Sequence, residues 1–179
     1  MNSRIAIDMD EVLADTLTKH LTLYNLEHGE SLTKRDLEGK KIYDVVRADR
    51  RERVREYPRA QDFFRDIPIM PGSQEVLSRL LERYEVFITT AAMEYPTSFV
   101  AKYEWIKEHF PFFPDSHIVF CGDKSIIAAD FLIDDNTHHF ARFSGQGLLF
   151  SAPHNLFETR YPRLNNWQDI RSRFLQPGG

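Results

Sequence analysis

Four carboxylates fall within eight positions near the start of the chain, in "RIAIDMDEVLAD": Asp8, Asp10, Glu11 and Asp15. Asp8 and Asp10 stand directly behind the apolar run Ile5-Ala6-Ile7. In an extended strand, side chains two positions apart point the same way, so both acids would enter one crevice. Other reactive groups occupy comparable places further on. Thr89 and Thr90 close the run "YEVFITT", Lys124 follows "HIVFCGD", and Asp134 with Asp135 closes "DFLIDD". Several carboxylates held together repel one another, and burial pushes them towards protonation. A divalent cation relieves that repulsion, and hard oxygen donors with open positions suit Mg2+. A hydroxyl and an ammonium beside such a centre make a site for an oxyanion with several acceptors, for which phosphate is the obvious candidate.

These groups need a frame to hold them. Five short apolar runs, residues 4–8, 84–90, 117–121, 130–134 and 147–151, alternate with helical patterns. Continuous runs of this kind suit strands covered on both faces. "PGSQEVLSRLLERY" predicts a helix with Ser73 as N-cap and Val76, Leu77, Leu80, Leu81 and Tyr84 on one face. "TSFVAKYEWIKEHF" predicts another, with Phe99, Tyr103, Ile106 and Phe110 as its stripe and "PFFP" as its stop. Leu13, Leu17, Leu21 and Tyr24 keep the same rhythm behind the first run. The alternation predicts an α/β fold, a Rossmann-like parallel sheet of about five strands with helices on both faces. Ligands of such sheets bind outside the carboxyl ends of the strands, where all the reactive groups lie.

Between Thr33 and Asp66 the alternation lapses. The stretch holds eleven Lys or Arg against eight Asp or Glu and shows no strand pattern. It reads as a solvated helical insertion with Val46, Val54 and Tyr57 turned inward. The alternative is a lid whose arginines attract an anionic substrate. The expected division is a catalytic core of residues 1–16 and 71–179, with a small helical cap of residues 17–70 inserted after the first strand motif.

"DMDEVLAD", the strand-terminal Thr90 in "VFITTAA", Lys124 in "GDKSIIAADFLIDD" and the Asp134-Asp135 pair resemble, in order and spacing, the four motifs of the haloacid dehalogenase superfamily of phosphohydrolases. Within it the chain is most similar to the 5′(3′)-deoxyribonucleotidases, also through "FFRDIPIMPGS", "KYEWIKEHF" and "LLFSAPHN". The resemblance implies a Mg2+-dependent phosphatase acting on deoxyribonucleoside 5′- and 3′-monophosphates. It implies that Asp8 is the nucleophile, forming an aspartyl-phosphate, and that Asp10 is the acid and base. Thr90 and Lys124 would bind the phosphate. Mg2+ would sit on Asp8, on Asp10 through its carbonyl, and on the closing pair, Asp135 directly with Asp134 in support. Spacing alone does not separate those two. A pocket for the base would come from the cap, with Phe63, Phe64 and Tyr43 as its expected lining. Two positions depart from the pattern: Glu11 stands where the mammalian enzymes have Gly, and Ala91 where a second hydroxyl is expected.

Other residues read more plainly. Glu11 is expected to be solvated or supporting, and Asp15 either caps the following helix or braces the loop. His138 and His139 do not share a helix face and lack a third ligand, which argues against a metal site there. Cys121 reads as a small core residue, and His154 with Asn155 as loop-building. The 179 residues carry a net charge of −4 and 42% hydrophobic residues, which argues against a nucleic-acid coat or a membrane-surface protein. A lone cysteine and no apolar run of membrane-spanning length lead to a cytoplasmic expectation. The expected partner is a small-molecule nucleotide, with a homodimer left open and neither nucleic acid nor membrane expected. The tail "QPGG" is expected to fray. Rival readings are a sugar-phosphate or nucleic-acid-end phosphatase, a phospho-aspartate receiver and a non-catalytic nucleotide binder. A receiver's acceptor aspartate ends a middle strand, where this chain has Thr89 and Thr90.

Overall fold

Strands form where the apolar runs stand: β1 (Arg4–Asp8), β2 (Glu85–Thr90), β3 (Ile118–Phe120), β4 (Phe131–Asp134), β5 (Gln146–Phe150) and β6 (Arg163–Leu164). In this computed structural model, which describes residues 3–176, they make one parallel sheet in the order β3-β2-β1-β4-β5-β6. Pro177 to Gly179, most of the tail expected to fray, lie outside the described residues. The sheet has six strands where about five were expected. The extra strand, β6, is two residues long and follows a proline, too short to leave a period of its own.

The helices are α1 (Thr16–His28), α2 (Ile42–Val45), α3 (Arg51–Glu56), α4 (Ser73–Leu80), α5 (Phe99–His109) and α6 (Trp167–Phe174). Among the described residues none is long and apolar enough to cross a membrane. Three helical expectations need correction. Ser73 is not the N-cap of α4; Gly72, at φ 81°, takes that place, and Ser73 begins the helix fully buried. Tyr84 lies beyond the end of α4 and donates its hydroxyl to the carbonyl of Phe174. On α5 the buried face carries Ala101, Lys102, Trp105 and Ile106, while Tyr103 is 40% exposed. Ile106 and Phe110 of the expected stripe are fully buried; Tyr103 is the member that turns outward, and Lys102 takes an inward place that a count of apolar residues passes over.

Ile5 and Ile7 face one apolar cluster and Ala6 the other, as strand alternation requires. The larger cluster is continuous from Ile7 through Trp105 and Trp167 to Leu37, Val54 and Phe63 of the insertion. Val46, Val54 and Tyr57 do turn inward, at 2%, 0% and 5% exposure. The chain leaves and re-enters the sheet region through a pinned neck. Asp15 N donates to Pro68 O and Met70 N to Leu13 O, both at 2.7 Å. Trp167 Nε1 donates to Val12 O and Trp105 Nε1 to Ile67 O, again at 2.7 Å. Each tryptophan thus fixes one strand of the neck while filling the core.

Candidate active site

Register brings the reactive groups together. Asp8 pairs with Thr89 across β1 and β2, and one step beyond the Ile7–Ile133 pair come Asp8 and Asp134. β1 is central, and the chain builds β2 and β3 on one side before crossing to β4 on the other. That is the switch point at which an open parallel sheet leaves a crevice.

Lys124 lies at the bottom, 1% exposed, and its ammonium is bonded to Asp8 Oδ1 and, at 2.6 Å, to Asp134 Oδ2. Burial works against its charge, but Asp134 and Asp8 outweigh that and raise its pKa. Burial pushes Asp8 up to about 7, with Lys124 opposing and Asp134 and Asp10 adding to the rise. Each oxygen of Asp134 already has one partner. One oxygen takes Lys124 and the other accepts the amide of Asn136 at 2.8 Å. Asp135 keeps its carboxylate turned to the cavity, and burial followed by the charge of Asp134 holds it well above the usual carboxylate range. One oxygen from each of Asp8, Asp134 and Asp135 lies within 4.8 Å of the others. With a single ammonium among three carboxylates, the donor set fits a hard divalent cation.

Asp10 looks in from the neighbouring turn, its side chain about 30% exposed. Thr16 Oγ1 donates to its Oδ1 at 2.9 Å, and Lys102 Nζ to its Oδ2 at 2.5 Å. Burial would raise the Asp10 pKa, but Lys102 and then Thr16 outweigh it and hold it below the usual range. Lys102 also donates to Thr90 Oγ1 at 2.9 Å, and its ammonium lies 4.3 Å from the centre of the Phe64 ring. Thr90 is fully buried and committed to this cluster, whereas Thr89 donates back to the Ile7 carbonyl. Sequence reasoning missed Lys102. Its sign was a lysine three and four positions before Trp105 and Ile106, in phase with the inward face of α5.

Glu11 holds φ at 59°, a left-handed conformation that glycine would adopt freely. Its carboxylate accepts the amide of Leu17 at 2.5 Å, tying the turn to the first residues of α1, and burial pushes it up to about 8. Asp15 both caps α1, accepting from Thr18 N at 3.1 Å, and binds Lys34 at 2.6 Å. Asn155 Nδ2 donates to the carbonyls of Asp135 and Phe150, each at 2.8 Å, and is itself held through Oδ1 by Arg163. The "SAPHN" loop is therefore structural in a specific way: it fixes the backbone of Asp135.

Asp8, Asp10, Glu11, Lys102, Asp134 and Asp135 floor a cavity of about 260 Å3 between the sheet and the insertion, while the expected phosphate binders Thr90 and Lys124 are buried behind that floor. Its walls include Leu17, His20, Tyr43, Phe64, Tyr95 and His139. Of the expected lining, Tyr43 and Phe64 face the cavity, while Phe63 is 2% exposed and packs behind His20. No arginine lines it among the described residues. Arg47, Arg53, Arg55 and Arg59 pair with Asp49, Glu27, Glu52 and Glu56, and Arg55 and Arg59 lie over the rings of Tyr43 and Tyr95 in the cavity wall. The basic residues of the insertion at the cavity are Lys40 and Lys41. Cys121 is buried, as expected, with Sγ 3.7 Å from the Thr90 carbonyl.

Residues 2–176 match the family described as 5′ nucleotidase, deoxy (pyrimidine), cytosolic type C protein. A Staphylococcus epidermidis protein provisionally named a 5′(3′)-deoxyribonucleotidase is 44% identical over 171 residues, covering 96% of this chain and 95% of that one. The 5′(3′)-deoxyribonucleotidase of Bacillus subtilis strain 168 is 39% identical over 175 residues, covering 98% of this chain and all of that one. In three dimensions, a haloacid dehalogenase-like hydrolase of Streptococcus pneumoniae superposes with a TM-score of 0.62 over 97% of this chain and 98% of its own, at 14% identity.

Proposed function

The chain belongs to the 5′ nucleotidase, deoxy (pyrimidine), cytosolic type C family within the haloacid dehalogenase-like hydrolases, and is a phosphoric monoester hydrolase; from that premise we propose that it dephosphorylates deoxyribonucleoside 5′- and 3′-monophosphates through an aspartyl-phosphate on Asp8. The observation that carries this reading is the pairing of two differently held acids at the floor of one cavity. Asp8 is fixed by Lys124, and Asp10 is held by Thr16 and Lys102. The opposite wall is aromatic, suited to a base.

Asp8 is oriented for attack because the Lys124 ammonium holds one carboxylate oxygen and leaves the other free. That oxygen attacks phosphorus, and the bond to the nucleoside oxygen breaks as Asp10 delivers a proton to it. Asp10 then takes a proton from water, whose oxygen attacks phosphorus, and the P–O bond to Asp8 breaks to release phosphate. Lys102 favours the base form of Asp10, which this second step uses. The phosphate of an incoming substrate competes for the same ammonium, and an Asp10 relieved of it regains the higher pKa that burial imposes. Thr90 positions Lys102 and Asp10, and Lys124 offsets the charge of Asp8 and the phosphoryl group.

Asp8, Asp135 and the carbonyl of Asp10 would hold Mg2+, with Asp134 in support through Lys124. When bound, Mg2+ supplies charge neutralisation that lets an anionic nucleophile meet an anionic ester. Residues 17–70 act as the cap, since the sheet end can recognise only phosphate and the base must be read by what covers it.

A steady-state panel of deoxy- and ribonucleoside monophosphates and sugar phosphates at fixed Mg2+, repeated with chelator, tests this reading. The expected result is metal-dependent turnover with preference for deoxyribonucleotides. Preference for sugar phosphates would contradict it.

A further inference from the structure

His20 is a polar residue set in an aromatic wall. It sits on α1 one turn beyond Thr16, on the same helix face, and lines the cavity that Asp10 also lines. Its ring centre is 4.9 Å from Phe63, 6.3 Å from Tyr57 and 6.5 Å from Tyr43. Neither ring nitrogen is hydrogen-bonded among the described residues; Nδ1 is sealed off from the cavity, which leaves Nε2 as the atom a ligand can reach. Only 8% of the residue is exposed, and burial depresses its pKa to about 4, so the imidazole is neutral at ordinary pH. A buried polar atom left unpaired is costly, and phenylalanine would fill the same space among these rings without that cost. Neighbouring Leu17 and Phe64 offer a ligand only apolar contact.

We propose that His20 is a specificity-determining residue: its imidazole Nε2 hydrogen-bonds the edge of the nucleobase held against the aromatic wall formed by Tyr43 and Phe64. A neutral imidazole carries one N–H and one lone pair, and a keto pyrimidine presents adjacent C=O and N–H groups, so each tautomer of the ring finds a partner. This rests on the nucleotidase reading above and adds the group that reads the base.

The test compares deoxyuridine 5′-monophosphate with 2-deoxyribose 5-phosphate, which keeps the sugar and phosphate and lacks the base. His20→Phe retains the ring packing and removes the hydrogen bond. It is expected to lower kcat/KM for the nucleotide roughly 5- to 10-fold, mostly through KM, and to leave the baseless ester unchanged. His20→Gln, which places an amide near the Nε2 position, should recover part of the loss. Equal losses on both substrates mark a packing role and overturn the assignment, as does an unchanged nucleotide KM. A parent enzyme that turns over the baseless ester as well as the nucleotide overturns the nucleotidase reading itself, and the role of His20 with it.

Discussion

At Asp10 two demands meet. In the proposed mechanism the residue loses a proton to the leaving group and later takes one from water, yet the resting protein pairs it with Lys102 and holds its pKa down. That ion pair is short, lies beside Thr90 and under Phe64, and is half-shielded from water, so it biases Asp10 strongly. Lys102→Met keeps the stem packed and removes the charge. Burial then raises Asp10, whose base form is populated only at higher pH. Activity at neutral pH should fall on the order of 10²-fold, the lower end of what a proton transfer contributes, and the acidic limb of the pH–rate profile should move to higher pH. A profile whose acidic limb stays in place would remove Lys102 from that role. Glu11, by contrast, is bound to the amide of Leu17 in a left-handed turn, which explains a charge beside Asp10 as local architecture rather than chemistry.

α1 sets the site at the scale of elements. Thr16 reaches Asp10 from its first turn, and Leu17 and His20 face the cavity from the next positions. The position of α1 depends on Asp15, whose carboxylate caps Thr18 N and also binds Lys34. Asp15→Ala removes both and should cost about 1–2 kcal/mol, which lowers Tm by roughly 2–8 °C in a chain of this size. Asp15→Asn keeps the cap and should lose clearly less. Thermal denaturation of the two variants decides between them, and an Asp15→Ala protein as stable as the parent would contradict the capping role. The neck works alongside, since Trp105 and Trp167 each hold a carbonyl on one of its strands. From the sequence, the strands that carry the acids were legible because long apolar runs have few alternatives. β6 and the exact face of α5 were not, since two residues show no period and Lys102 looks solvated to any count of apolar positions.

Across the whole molecule, register does what no single motif does. Parallel pairing of β1 with β2 and β4 levels Asp8 with Thr89 and Asp134, and Lys124 arrives from beyond β3 to neutralise them. Asp8, Asp10, Lys124 and the Asp134-Asp135 pair were legible in sequence because each ends a strand or follows one. The proposed division of labour within the closing pair was not, because it rests on the contacts that Lys124 and Asn136 make with Asp134. The far side of the cavity was only partly legible: Tyr43 and Phe64 face it, Phe63 lies behind, and His20 gave no sign at all. The core that joins sheet and insertion is continuous, so the cavity is built as one piece with the catalytic floor. The central claim is that turnover passes through a phosphate ester of Asp8. It is tested most directly by acid-quenching the enzyme during turnover of a deoxyribonucleotide, reducing with borohydride and sequencing the peptides by mass spectrometry. The account predicts homoserine at position 8 in the parent protein and none in Asp8→Asn. Reduction at another carboxylate, or none in the parent under turnover, would contradict it.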